Sequence, residues 1–99
     1  MVRHIVAWNF KKNFTSEQNR ENAAKAKEKL EALTDKIGEI VSLKVDINPL
    51  KTSTCDIVLT SLFENEKTLA SYIIHPEHQR VRDFVNTILE NKQCIDIYE

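Results

Sequence analysis

Apolar residues recur at period two on both faces of three predicted strands, and this double alternation constrains the fold more than any other feature of the chain. Residues 2–10 place Val2, His4, Val6, Trp8 and Phe10 on one face, and Arg3, Ile5, Ala7 and Asn9 on the other. A strand at about 55–63 sets Cys55, Ile57, Leu59 and Ser61 against Val58, Thr60 and Leu62. A last strand at about 92–98 sets Cys94 and Asp96 against Ile95 and Ile97. A sheet covered by helices on one side needs only one apolar face. Here Ile5, Ala7, Val58, Leu62, Ile95 and Ile97 form a second apolar set that so short a chain cannot cover. A self-complementary two-fold contact resolves this. The expected partner is therefore a second copy, forming a homodimer through the sheet face away from the helices.

The segments between the strands read as helices. Thr15 to Gln18 forms a capping-box pattern ahead of a helix to about Leu33, whose inward stripe is Ala23, Ala26, Leu30 and Leu33. Gly38, the only glycine, is expected to mark the turn out of it. A strand at about 39–47 carries Val41, Leu43, Val45 and Ile47 on one face, and a polar loop follows to Thr54. A short helix at about 65–74 carries Leu69, Tyr72 and Ile73 on one side. Pro76 breaks that helix and suits the first turn of another, which runs to about Leu89 with a stripe of His78, Val81, Val85 and Ile88. Glu77 and Asp83 are expected to complement that helix's N-terminal dipole. The order β-α-β-β-α-α-β is that of a ferredoxin-like α+β fold with a four-stranded antiparallel sheet, the first and third strands central, in one domain over residues 1–99.

Several classes fall away on composition. The net charge is −1, and no basic patch emerges beyond Lys11-Lys12 and a helix whose lysines alternate with glutamates, so nucleic acid is not an expected partner. No apolar run approaches a membrane span. Met1 to Val6 leads straight into a strand pattern with no apolar leader or cleavage site, so no signal peptide is expected. The two cysteines have no metal or redox spacing, which favours a reducing, cytoplasmic setting. In the expected strand order Cys55 and Cys94 are separated by the first strand, roughly 9–10 Å, too far for a disulfide. Both are expected as buried free thiols.

The chemistry-bearing residues concentrate in Tyr72-Ile73-Ile74-His75-Pro76-Glu77-His78. The proline break puts Tyr72 and His78 on the inward sides of two helices, facing one space above the sheet, while His4 and Trp8 rise into it from below. Alanines opposite the sheet either permit close packing or leave a hollow, and an apolar hollow with a few converging polar groups is the usual small-molecule site. The expected lining is His4, Val6, Trp8, Leu59, Ile73 and Val81. Tyr72 and His78 are the candidate catalytic pair: the imidazole as base or acid, the phenol as donor to a carbonyl or developing oxyanion. A purely structural role for the same residues remains the alternative. His75 reads as a brace of the turn, and Asp96 and Tyr98 read as structural. No metal site is expected, because no cysteine or carboxylate cluster completes the pair His75 and His78, and no cofactor is expected.

Three stretches resemble the stress-responsive A/B barrel family, the dimeric α/β-barrel proteins known as Dabb domains. They are Val2 to Val6 with Phe10-Lys11, Phe63-Glu64 through Leu69 to Tyr72 with His75-Pro76-Glu77-His78 and Val81, and Ile95 to Tyr98. The resemblance spans nearly the whole chain. It implies a homodimer whose two sheets face each other as a barrel with the helices outside. A plant polyketide cyclase of that family uses a tyrosine and a histidine that fall on Tyr72 and His78, with a pocket histidine falling on His4. That enzyme has pocket aromatics on its first helix, where this chain has Asn22, Ala23 and Ala26. The readings kept open are a binder of a small, mostly apolar molecule with or without acid–base chemistry, a non-catalytic stress or assembly protein, and a cofactor-free or haem-binding monooxygenase-like protein.

Overall fold

Alternation of β-branched and aromatic residues makes Val2–Phe10 a strand, β1, and the computed structural model, which describes residues 1–99, sets it at the centre of a four-stranded antiparallel sheet. Strand β2 (Ser42–Asp46), β3 (Ile57–Phe63) and β4 (Leu89–Tyr98) complete the order β2-β3-β1-β4. Helices α1 (Ser16–Glu31), α2 (Glu66–Ile74) and α3 (Pro76–Val85) follow in the expected ferredoxin-like connection. Val6 lies opposite Leu59 on β3 and Cys94 on β4, a register that stacks the inward positions of three strands in one row.

Local signals start the helices. Thr15 and Gln18 exchange both bonds of a capping box at α1, and Asn65 and Thr68 do the same at α2. The inward stripe of α1 is buried as its spacing requires, with Ala26 wholly sealed, and Leu33 is equally sealed in the 3₁₀ turn Ala32–Asp35 that follows the helix. Around it Phe63, Ile57, Leu59, Val45 and Ile37 form the floor and end of the core. Each fully buried aliphatic side chain of this kind contributes about 1.5–3 kcal/mol.

Both edges of the sheet are exposed in principle, but the β2 edge is blocked. Lys27 Nζ donates to the Val45 carbonyl at 2.6 Å, and Glu31 accepts the Val45 amide at 3.0 Å. Two α1 side chains thus occupy the edge backbone that would otherwise template another strand. The Lys27 ammonium, which bonds the Glu31 carboxylate at 2.8 Å, holds its pKa below the ordinary value.

The other face of the sheet carries the second apolar set. Ile5, Ala7, Val58 and Leu62 are half-buried, and Ile95 and Ile97 are 56% and 42% exposed. No helix covers them, as the alternation requires.

Several expectations need correction. Strand β4 begins at Leu89, not near 92, and α3 ends at Val85 rather than Leu89. The reason is a β-bulge with Asn91 at φ 56°, which hides the strand's first half from a period-two reading. Strand β2 is shorter than expected, and Val41 is exposed beyond its end. Gly38 takes no left-handed conformation and sits in open space, so the turn does not require glycine. Asp83 lies in the last turns of α3 beside Arg82, away from the positive end of the dipole. Cys55 and Cys94 are free and flank β1 on either side as expected, but neither is buried: Cys94 is exposed because β4 is an edge strand.

Candidate functional site

The proline that separates α2 from α3 also positions the candidate base. His75, restricted to extended dihedrals by Pro76, caps α3 by accepting the Glu77 amide on its ring Nδ1 at 3.1 Å. Glu77 N–H is therefore unavailable to the Ile73 carbonyl, its ordinary helical partner. The ring of His78 takes that role, with Nδ1 2.9 Å from Ile73 O. A carbonyl only accepts, so Nδ1 carries the proton and Nε2 is left with its lone pair. Burial, reinforced by the positive charges of Lys92 and Arg82, lowers the His78 pKa below 6.5 despite the opposing bond to Ile73. His78 is thus a neutral imidazole at neutral pH with one fixed tautomer.

Tyr72 lies beside it, ring centroids 4.4 Å apart, and is also braced by Phe63 at 5.0 Å. Its side chain is almost wholly buried, and that burial raises its pKa well above the ordinary tyrosine range. Tyr72 therefore stays a neutral phenol. Its hydroxyl has no hydrogen-bond partner in the protein, while every sealed side-chain polar atom has one, so the hydroxyl opens onto the cavity that Tyr72 lines.

His4 completes the floor, its ring 6.1 Å from that of Tyr72. Its Nδ1 lies 2.5 Å from Asp96 Oδ1 across the β1–β4 ladder, where the two residues are direct partners. The carboxylate fixes the tautomer and orientation of His4, as a second carboxylate does for many catalytic or metal-binding imidazoles. Cys94 sits one pleat away, and burial together with Asp96 raises its thiol pKa.

These groups share a partly enclosed cavity of about 130 Å³ between the sheet, α2 and α3. Of the expected residues, His4, Val6, Trp8, Leu59, Tyr72, Ile73 and His78 all line it. Val81 does not: it faces a shallow groove between α3 and α1, beside Phe84 and Ala32. Arg82 and Val85 take its place on the cavity side of α3. Ile73 is 42% exposed and stands at the mouth rather than in the core. Sequence reasoning missed Asp96, Cys94, Lys92 and Arg82. Asp96 was the most accessible of these, since the parity of β4 already placed it on the face of His4. A neighbouring cleft of about 200 Å³ shares Ile73 and Asp96 with the cavity, but its other polar groups, Tyr98 and Glu66, are exposed and bonded to each other.

The sequence pattern described as the stress responsive A/B barrel domain matches residues 2–99. The chain belongs to this family, the Dabb domains. No curated protein matches the chain. Among solved structures, a dimeric protein of unknown function with a ferredoxin-like fold from Bacteroides fragilis is 30% identical, with a TM-score of 0.89 over 97% of this chain and 93% of its own. A protein of Arabidopsis thaliana is 20% identical, with a TM-score of 0.81 over 100% of this chain and 95% of its own. A hydroxynitrile lyase from Passiflora edulis is 15% identical, with a TM-score of 0.75 over 97% of this Dabb chain and 90% of its own. The last two likenesses show the fold alone. No helix of this chain is long and apolar enough to cross a membrane.

Proposed function

We propose that this Dabb protein is a homodimer that binds a small, mostly apolar carbonyl or hydroxyl compound in each protomer's cavity and moves a proton on it, with His78 as base and Tyr72 as hydrogen-bond donor. The observation that carries this reading is the pairing of an imidazole locked with its lone pair free and a buried neutral phenol without a partner. Both polar atoms open onto the cavity instead of onto another protein group, where a ligand can meet them. The Bacteroides fragilis relative is described as dimeric, and the uncovered apolar face of this chain supports the same assembly. Two free thiols suit a cytoplasmic location.

In this scheme His78 Nε2 takes a proton from a carbon beside a carbonyl, or from a hydroxyl. From carbon, the electron pair moves onto the carbonyl oxygen to give an enolate; from a cyanohydrin hydroxyl, the oxygen pair forms a carbonyl as the bond to cyanide breaks, and cyanide leaves with that bond's pair and takes up the proton from His78. Tyr72 O–H donates to the substrate oxygen as its charge changes. Lys92 and Arg82 at the cavity wall favour any negative charge that develops. The His4 Nε2, set by Asp96, offers a second polar contact from the floor.

The size of the cavity limits the ligand. An engineered apolar cavity of about 150 Å³ holds benzene, so about 130 Å³ suits one ring or a short branched chain. Haem is several times larger than this volume, so the cavity favours a small ligand.

The test pairs two small-ring substrates with two variants. Deuterium exchange beside the carbonyl of an aryl methyl ketone and cleavage of an aryl cyanohydrin are followed by NMR, alongside thermal melts. Wild-type protein is expected to accelerate at least one reaction. His78→Ala should lower that rate by about 10²–10⁴ and Tyr72→Phe by about 10²–10³, with melting nearly unchanged. If neither ring compound binds or reacts and both variants melt clearly lower, the groups serve the fold and the proposal fails.

A further inference from the structure

His4, Cys94 and Asp96 bring an imidazole nitrogen, a thiol sulfur and a carboxylate together where β1 and β4 pair. Their donor atoms lie within 4.8 Å of one another. Cys94 Sγ is 3.8 Å from His4 Nδ1 and 3.9 Å from Asp96 Oδ2. The hydrogen bonds of His75 and His78 have no part in this cluster, so it is separate from the histidine pair on which a metal site was discounted.

We propose that these three residues form a site for a divalent transition metal of the zinc class. A tetrahedral zinc with ordinary bond lengths holds nitrogen, oxygen and sulfur donors about 3.3–3.5 Å apart. The two sulfur distances need to close by only a few tenths of an ångström, and His4 and Asp96 to part by somewhat more. The burial of the three side chains suits that adjustment. The His4 side chain is 8% exposed and acts as the fixed anchor, while that of Asp96 is 41% exposed and can turn when the metal replaces its bond to His4, and Cys94 is exposed. The mixed nitrogen, sulfur and oxygen donor set favours zinc or cobalt over magnesium or calcium, which take oxygen ligands. All three residues line the cavity, so the fourth coordination position falls on the cavity side, the open arrangement of zinc sites that act on a ligand.

Binding moves the Nδ1 proton of neutral His4 to Nε2 and releases the Cys94 thiol proton to solvent. The metal-bound and hydrogen-bonded states of His4–Asp96 are therefore mutually exclusive, and metal would control the floor of the cavity.

The reduced dimer titrated with Co²⁺ reads this directly, through the thiolate-to-cobalt absorption band and the visible bands of a tetrahedral ion. One Co²⁺ per protomer is expected, displaced by Zn²⁺, with a melting temperature that rises with metal concentration. Cys94→Ser should abolish the thiolate band and Asp96→Asn should weaken binding by at least about tenfold; both positions are exposed, so the fold survives. Cys55→Ser, His78→Ala and Tyr72→Phe should leave the spectrum unchanged, which separates this site from the proton-transfer reading. No thiolate band in wild-type protein, a band that persists in Cys94→Ser, or an affinity indifferent to Asp96→Asn overturns the proposal.

Discussion

Replacing Ile97 with aspartate puts the assembly to a quantitative test. Ile97 lies opposite Arg3 on the sheet face away from the helices and is 42% exposed in the single chain. Burying a whole isoleucine contributes about 1.5–3 kcal/mol, so covering the exposed 42% contributes roughly 0.6–1.3 kcal/mol per copy. A two-fold contact holds the residue twice, which gives roughly 1.2–2.6 kcal/mol per dimer. Ile97→Ala should therefore weaken dimerisation by up to about eightyfold. Ile97→Asp adds a carboxylate that the contact must desolvate beside an Arg3 already bonded to Glu99, at up to several kcal/mol more per copy by rough estimate. At micromolar concentration the aspartate variant should sediment as a monomer or unfold, and Val58→Asp should behave alike. A protein that works as a monomer responds differently, because substitution at an exposed site changes stability by only about 0.5 kcal/mol. Sedimentation velocity on wild-type and variant proteins decides the matter. A wild-type monomer at micromolar concentration, or an Ile97→Asp dimer of undiminished affinity, would refute the two-fold argument.

Two further outcomes follow from the ion pair at the β2 edge and from the strand order. Glu31 has a folded pKa below its ordinary 4.5, so its contribution is complete above the ordinary value and is lost as pH falls through the folded value; Glu31→Gln should flatten the acid limb of a stability curve below pH 4.5, and an unchanged limb rejects the edge-blocking role. Alkylation under denaturing, non-reducing conditions followed by mass measurement should find both Cys55 and Cys94 free, and a bond between them would contradict a sheet in which β1 separates them.

The fold was legible because its strongest signals are local and redundant. Period-two alternation in β1 and β3 gave the inward face from Val2 through Trp8 and from Ile57 through Ser61, although Cys55 precedes the observed strand. The capping box at Thr15 fixed the start of α1, and the expected start of α2 near residue 65 fell within a residue of the observed one. The histidine–proline turn placed Tyr72 and His78 on two helices facing one space, and the cavity has both in its wall. Element ends were harder. Leu89 and Ile88 are adjacent and both buried, which neither a helical nor a strand period describes. Val81 illustrates another limit: three residues after His78 is one helical turn, yet the cavity curves away and α1 takes that side of α3. The polar part of the site depended on pairing across strands. His4 and Asp96 are 92 residues apart, and only the register of β1 against β4 shows that they meet.

That register rests on one irregularity, which divides the chemistry of β4 from its assembly surface. Between the partners Ala7–Gln93 and Asn9–Glu90, β1 advances two residues while β4 advances three. The extra residue is absorbed where Asn91 adopts φ 56°, a left-handed conformation that asparagine tolerates better than most side chains. Leu89 faces the core opposite Phe10, and Cys94 and Asp96 face the same side although they lie an odd number of positions further on. In an unbroken strand such residues point to opposite faces. With Leu89 anchored in the core, a regular β4 would turn Ile95 and Ile97 beneath the helices and send Cys94 and Asp96 outward. His4 would lose the carboxylate that orients it, and the apolar face would gain a charge at its edge. One left-handed asparagine thus lets a single edge strand supply the polar groups of the cavity on one side and isoleucines for a second copy on the other.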